Sequence, residues 1–234
     1  MPSVDTPQPL ESLLQDIHNA KRPGNRPMPR LLAVSKTRNA SEIARLADAG
    51  QRAFGENYVQ EALPKIDALR ARGLEWHLIG HLQSNKADAA ARAFDWVQTL
   101  DRPKLVTALA AHRPQSLPPL NVLIQVNIDG EAGKHGCAPG EVDALAGAIA
   151  AQRRLRLRGL MAIPTPHADR ALRREAFQAM SALFDTLASR SPGIDTLSMG
   201  MSEDFAEAIA EGATMVRIGT ALFGPRPTTR DAMQ

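Results

Sequence analysis

Apolar residues in this chain come in short runs, and the runs are LLAVSK (31–36), RAFGEN (52–57), WHLIGH (76–81), FDWVQTL (94–100), NVLIQVN (121–127), LRLRGLMAI (155–163), DTLSMG (195–200) and TMVRIG (214–219). Near-continuous apolar character over so short a length reads as a strand covered on both faces. Amphipathic segments lie between the runs. Residues 41–49 place Ile43, Ala44, Leu46 and Ala47 on one face, and Gly50 stops the pattern. Similar segments run over about 58–72, 84–93, 102–112, 139–152, 169–189 and 202–211, and a further helix is predicted at 10–21, ahead of the first run.

Strands that alternate with helices imply a parallel sheet. An open doubly wound sheet shares this pattern, but eight regular βα units in 234 residues suit a closed barrel better. The expected fold is therefore α/β, a single (β/α)8 TIM barrel spanning 1–234 as one domain. No Pro/Gly/Ser linker divides the chain, and residues 1–9 and 225–234 read as loose ends.

Composition narrows the class without naming it. Hydrophobic residues make up 44% and charged residues 23%, as in ordinary globular chains, and the formal net charge is only +3. Arginines cluster at 153, 154, 156 and 158 and at 170, 173 and 174, yet aromatics are 4% of the chain, too few to interleave such patches for nucleic-acid stacking. Solvated helix faces account for the clusters instead. The one cysteine, Cys137, excludes an intrachain disulfide and a cysteine-based zinc site. There is no signal-peptide pattern at the start and no run as long as the ~18 apolar residues of a membrane span. The expectation is a cytoplasmic protein with neither nucleic acid nor membrane as partner.

Barrels of this class carry their sites at the C-terminal ends of the strands. Those ends hold Lys36, Asn57, Gly80-His81, Gln125 to Asn127, Met161, Ser198 to Ser202 and Arg217 to Thr220, a far more polar set than the strands that lead to them. Lys36 shares the strand face of Leu32 and Val34. If those two fill the barrel, Lys36 rises into its mouth. There, desolvation disfavours the ammonium and leaves an amine able to attack an aldehyde. A strand-end lysine that snorkels to water is the plainer alternative. Two C-terminal segments are suited to an anion. In LSMGMSEDF a glycine allows close backbone approach and Ser202 opens a helix expected from Glu203; in RIGTALFG, Gly219 and Thr220 start a short helical turn. A lysine for an aldehyde and a cradle for phosphate suggest a phosphorylated aldehyde: pyridoxal 5′-phosphate, or a sugar phosphate in an aldolase. Arg217, just before the phosphate loop, could meet the cofactor's pyridine nitrogen.

The motifs AVSKT (33–37), FGENYVQEAL (54–63), WHLIGHLQSNK (76–86), VNIDGEAGKHG (126–136), GLMAI (159–163), LSMGMSEDFAEAI (197–209) and GATMVRIGTALFGPR (212–226) resemble, in order and spacing, those of the pyridoxal-phosphate homeostasis proteins. That family is a single-domain relative of the N-terminal barrel of alanine racemase. The resemblance implies that Lys36 forms a Schiff base with the cofactor, that Ser202, Gly219 and Thr220 hold its phosphate, and that Arg217 faces the pyridine nitrogen. It implies further that Asn57, His81 and Met161 line the ring pocket and that Ser198 belongs to the cofactor site. Tyr58 and Gly133 depart from the family pattern, which most often has arginine and a hydroxyl residue there.

The family is associated with holding and distributing the cofactor. An arginine keeps its proton, so it cannot protonate the pyridine nitrogen as an aspartic acid would, and the ring becomes a poorer electron sink. Racemases of this type also use a tyrosine from a second domain of the partner subunit, whereas the only tyrosine here is Tyr58. His77 and His81 have the spacing of helical metal ligands but fall in a strand pattern, so no metal is assigned. The expectation is a monomeric carrier without catalytic residues that serves intracellular homeostasis and delivery to apo-enzymes. A cofactor-dependent racemase or lyase is the alternative.

Overall fold

A computed structural model of the chain describes residues 9–165 and 169–224, and every predicted run carries a strand. These are β1 (Arg30–Val34), β2 (Ala53–Glu56), β3 (Glu75–Leu78), β4 (Trp96–Leu100), β5 (Leu120–Gln125), β6 (Leu155–Met161), β7 (Thr196–Ser198) and β8 (Met215–Ile218). Neighbours in sequence pair in parallel, and β8 returns to β1 with Leu32 opposite Arg217, closing an eight-stranded barrel. The helices are α1 (Leu10–Asn19), ahead of β1, then α2 (Ala40–Asp48), α3 (Val59–Ala68), α4 (Ala87–Ala93), α5 (Pro103–His112), α6 (Val142–Ala150), α7 (Arg170–Arg190), α8 (Phe205–Ala210) and α9 (Thr220–Phe223). The closed barrel is the architecture expected from the pattern, not the open sheet. The expected loose ends lie outside the described residues, apart from Pro9.

Strand alternation sorts the apolar side chains into separate cores. Outward-facing Leu31, Ala33, Phe54, Leu78 and Val97 join Leu13, Ile43, Leu105 and Phe177 of the helices in one continuous layer. Inside the barrel, Leu32, Ala53, Ile79 and Met215 pack with Val34, and Trp96, Leu123 and Met161 form a second cluster. Phe54 is fully buried in the outer layer, where truncation to alanine costs about 3–5 kcal/mol. Leu32 and Val34 thus face the interior, but β1 ends at Val34, so strand alternation does not itself extend to Lys36.

Local signals explain where the elements begin and end. Asn39 caps α2, accepting the Glu42 N–H at 2.9 Å while Glu42 returns the bond to the Asn39 N–H at 2.9 Å, a reciprocal box worth about 1 kcal/mol. The helix expected from Glu203 starts only at Phe205. Residues 202–204 form a turn instead, because the Asp204 carboxylate takes the Met201 N–H at 2.6 Å and Phe205 N–H returns to the Met201 carbonyl at 2.9 Å. Strands β1 and β3 also stop short of the predicted runs, which leaves Ser35-Lys36 and Gly80-His81 in loops.

Only the second arginine cluster lies on a helix as expected, on α7; Arg153 and Arg154 fall in a turn and Arg156 and Arg158 on β6, and pairing within the chain accounts for several of them. Arg158 meets Asp195 at 2.5 Å and lies 4.7 Å over the Trp96 ring; Arg170 and Arg174 meet Glu207 and Glu211, each at 2.6 Å. Among the described residues, no helix is long and apolar enough to cross a membrane.

Candidate functional site

The turn that carries Lys36 is fastened from both sides. Ser35 is fully buried; its hydroxyl donates to Glu56 Oε1 at 2.6 Å, and its carbonyl accepts from Lys65 Nζ at 3.1 Å. Lys65 also meets both Glu56 oxygens at 3.0 Å and Glu61 at 2.9 Å. On the other side the Thr37 N–H donates to Glu61 Oε1 at 2.5 Å. Thr37 holds φ at +63°, and no other non-glycine residue among those described has a positive φ. A β-branched residue resists that conformation, and such strain persists only where the surroundings impose it. Next along, Arg38 donates to the Gly224 carbonyl at 2.6 Å and ion-pairs with Glu42 at 3.4 Å. Burial raises the Glu56 carboxyl above its ordinary value, against the pull of Ser35 and Lys65. Lys36 itself is half-buried at the mouth, two residues beyond β1.

Strand β8, hydrogen-bonded to β1, brings Arg217 into the barrel, where it is only 4% exposed. Its Nη1 donates to Ser198 Oγ at 2.7 Å and its Nη2 to the Ala162 carbonyl at 2.8 Å. Burial pulls its pKa down to about 10, against the attraction of Asp204, so it keeps its charge at neutral pH. Ser198 is fully buried, and its hydroxyl donates onward to Gln98 Oε1 at 2.8 Å. Gln98 Nε2 meets His77 Nδ1 at 2.9 Å, and His77 Nε2 meets Glu75 Oε1 at 2.8 Å.

The two segments expected to hold an anion flank this arginine. Gly200, at φ +91°, lies where a Cβ would come within 2.6 Å of the Ala208 Cβ, so the backbone of the β7 loop folds tightly on α8. Ser202 is half-buried in the turn that follows. Gly219 caps α9, and a Cβ there would lie 3.4 Å from the Val34 carbonyl, so the loop after β8 runs beside the end of β1. Thr220 is exposed at its start. Gln125, at the mouth end of β5, is 7% exposed; its Oε1 is buried and has no hydrogen-bond partner among the described residues. Met161, its neighbour in register, lies fully buried beneath.

Asn57 and His81 come together beyond the ends of β2 and β3. They line a pocket of about 360 Å³ at the rim with Tyr58, Gly80, Lys86 and His135. The approach of the two loops requires glycine at 80, where a Cβ would overlap the Asn57 carbonyl at 2.1 Å. His81 stacks on His135 with ring centroids 3.7 Å apart and 15° between planes, and its Nδ1 lies 4.0 Å from Asp101. Burial and the neighbouring His135 lower the His81 pKa. These three residues each bring a ligand atom within 4.8 Å of the others. An ion must lie in the plane of every imidazole it binds, which two rings stacked face to face do not permit, so the group remains a ring stack beside a carboxylate. Cys137 is buried, and its thiol is pushed up to about 12, foremost by burial, which leaves it unreactive.

Sequence reasoning did not single out Glu56, Glu61, Lys65, Gln98 or His135. A glutamate closing an apolar run at 56 and a Glu61–Lys65 pair one helical turn apart were the available signals.

A closed parallel barrel whose polar residues gather at one mouth defines the class. The chain belongs to the family described as alanine racemase, N-terminal domain, whose model matches residues 10–227. Its relatives carry a narrower description. The pyridoxal phosphate homeostasis protein of Escherichia coli is 56% identical over 199 residues, covering 84% of this chain and 85% of that protein. The protein of the same name from Pasteurella multocida is 50% identical over 225 residues, covering 94% and 97%. Among solved structures, PipY of Synechococcus elongatus with PLP bound is 33% identical with a TM-score of 0.78, covering 91% of this chain and 99% of that one.

Proposed function

We propose that this chain binds pyridoxal 5′-phosphate in the barrel mouth, with Lys36 as its Schiff-base lysine, and takes part in intracellular homeostasis and delivery of the cofactor without robust catalysis of its own. The observation that carries the binding half is the pairing of β1 with β8, which sets the loop of Gly219 beside the strand that ends below Lys36. The residues fit the group. Gln125 Oε1 is a buried acceptor with no donor among the described residues, Arg217 is a fixed cation, and the glycines keep the loops around Ser202 and Thr220 free of side chains that would block a phosphate. Bound there, the cofactor supplies an aldehyde for an amine and an electron-withdrawing ring. Ser202, Gly219 and Thr220 hold its phosphate, Arg217 faces its ring nitrogen, and Ser198, whose hydroxyl is already engaged, acts through Arg217. Met161 underlies the ring, with Asn57 and His81 at the rim.

The same residues argue for holding over turnover. Arg217 retains its proton, so it does not pass one to the ring. Tyr58 is 63% exposed at the rim and Cys137 is buried as a thiol, so neither is set as a second acid opposite Lys36. The expected form is a cytoplasmic monomer that releases the cofactor to apo-enzymes. The test incubates loaded protein with L- and D-amino acids in deuterated water and separately with an apo-enzyme. Negligible α-deuterium incorporation and transfer faster than free release are expected. Robust exchange with any amino acid would make the chain a racemase or lyase, and transfer no faster than release would make it a passive store.

A further inference from the structure

The interior of a parallel barrel is ordinarily filled by bulky aliphatic layers. Here a line of polar groups crosses it, and each is buried until the far end: Arg217, Ser198, Gln98 and His77, then Glu75 at the start of β3. Burying such groups without partners costs several kcal/mol each, so a line like this persists only when fully bonded. It is bonded throughout, with every separation between 2.7 and 2.9 Å.

The two ends dictate the direction of the whole line. An arginine can only donate, so Ser198 Oγ accepts from it and must donate its own proton to Gln98 Oε1. A carboxylate can only accept, so His77 carries its proton on Nε2 and offers Nδ1 as the acceptor for Gln98 Nε2. Both requirements give Gln98 the same orientation. His77 is then a neutral imidazole of one tautomer, in keeping with its full burial, which lowers its pKa. Its ring is also fixed by stacking on Trp96 at 5.0 Å and 11°. Arg217 meanwhile has no carboxylate within ion-pair distance among the described residues, so its orientation depends on neutral partners.

We infer that Gln98, His77 and Glu75 are positioning residues for Arg217: a one-directional hydrogen-bond line, anchored on a carboxylate at the opposite end of the barrel, sets the guanidinium in the orientation that the ligand meets. Its consequence for the cofactor rests on the function proposed above, whereas its consequence for Arg217 does not.

The experiment therefore has two arms. The first follows the guanidinium ¹⁵N–H signals of Arg217, assigned by their loss in Arg217→Lys, without cofactor. Gln98→Leu and His77→Phe should speed their exchange about tenfold, the equivalent of one hydrogen bond to a charged group. Gln98→Glu keeps an acceptor for Ser198 and, once one proton is taken up between the new carboxyl and His77 Nδ1, keeps the link to His77 as well, so it should restore slow exchange; Ser198→Ala replaces Gln98→Leu if that variant does not fold. The second arm titrates pyridoxal 5′-phosphate into the same proteins and expects about tenfold weaker binding in the broken-line variants. Arg217 signals that are unchanged in both variants overturn the inference. Changed signals with unchanged affinity overturn the link to the ligand. Changed signals in the variants, together with a wild-type chain that takes up no cofactor, leave the positioning line standing and remove the proposed function instead.

Discussion

Lys65 Nζ lies 3.1 Å from the Ser35 carbonyl and bridges it to Glu56, so an ammonium buried beneath the barrel rim holds the residue next to Lys36. The half-exposed lysine at the mouth is thus placed by a second lysine that is itself largely buried.

Lys65→Met should be strongly destabilising, because it leaves the fully buried Glu56 carboxylate without its counter-charge. Removing one partner of a buried pair costs about 3–5 kcal/mol. Urea denaturation would measure it, and a loss below about 1 kcal/mol would show that the pair does not secure the turn.

Two glycines should separate folding from binding. Gly200→Ala meets both a positive φ and a 2.6 Å overlap with Ala208, so a loss of about 2 kcal/mol or more in thermal or chemical unfolding is expected. Gly219→Ala faces only ordinary 3.4 Å contacts, so its stability should stay within about 0.5 kcal/mol of wild type while its affinity for pyridoxal 5′-phosphate falls. The reverse assignment of defects would place the anion loop elsewhere.

Gln125→Leu removes a buried oxygen that has no hydrogen-bond partner among the described residues, along with one long bond from Nε2 to the His135 carbonyl at 3.3 Å. Without ligand the variant should be as stable as wild type or more stable, by up to about 1–2 kcal/mol, yet bind the cofactor less tightly. Lower stability in the unliganded protein would mean that Gln125 serves the fold alone.

Stability should fall on mild acidification because of His77. Burial lowers its folded pKa below the ordinary 6.5, so the unfolded chain binds the extra proton first as pH drops. The folded state is therefore penalised increasingly as the pH falls below 6.5. In His77→Phe, unfolding free energy between pH 7.5 and 5.5 should vary less with pH than in wild type; an identical slope would mean that folded His77 takes up a second ring proton as readily as the unfolded chain does.

The barrel was legible in the sequence because its signal is local. Eight apolar runs and their intervening amphipathic stretches each report their own burial, and the strands appeared where the runs lie. Boundaries were less legible: β1 ends at Val34 because Ser35 turns toward Glu56, a contact 21 residues away. Lys36 and Arg217 could be picked out because each is a charged residue at the end of an apolar run, and Gly219 because it starts the short helical turn after one. The line from Arg217 to Glu75 could not, since Gln98 and Ser198 stand 100 residues apart and only the closed register sets them face to face. Nor does hydrophobic patterning expect a fully buried Glu56 with Lys65, as charged residues ordinarily mark the surface.

The most direct measurement is borohydride reduction of the protein after incubation with pyridoxal 5′-phosphate, followed by peptide mass mapping. One cofactor fixed on the peptide that contains Lys36, with none retained by Lys36→Ala, is the predicted result. Label on another lysine, or none on any, would contradict the assignment of Lys36 as the residue that holds the cofactor.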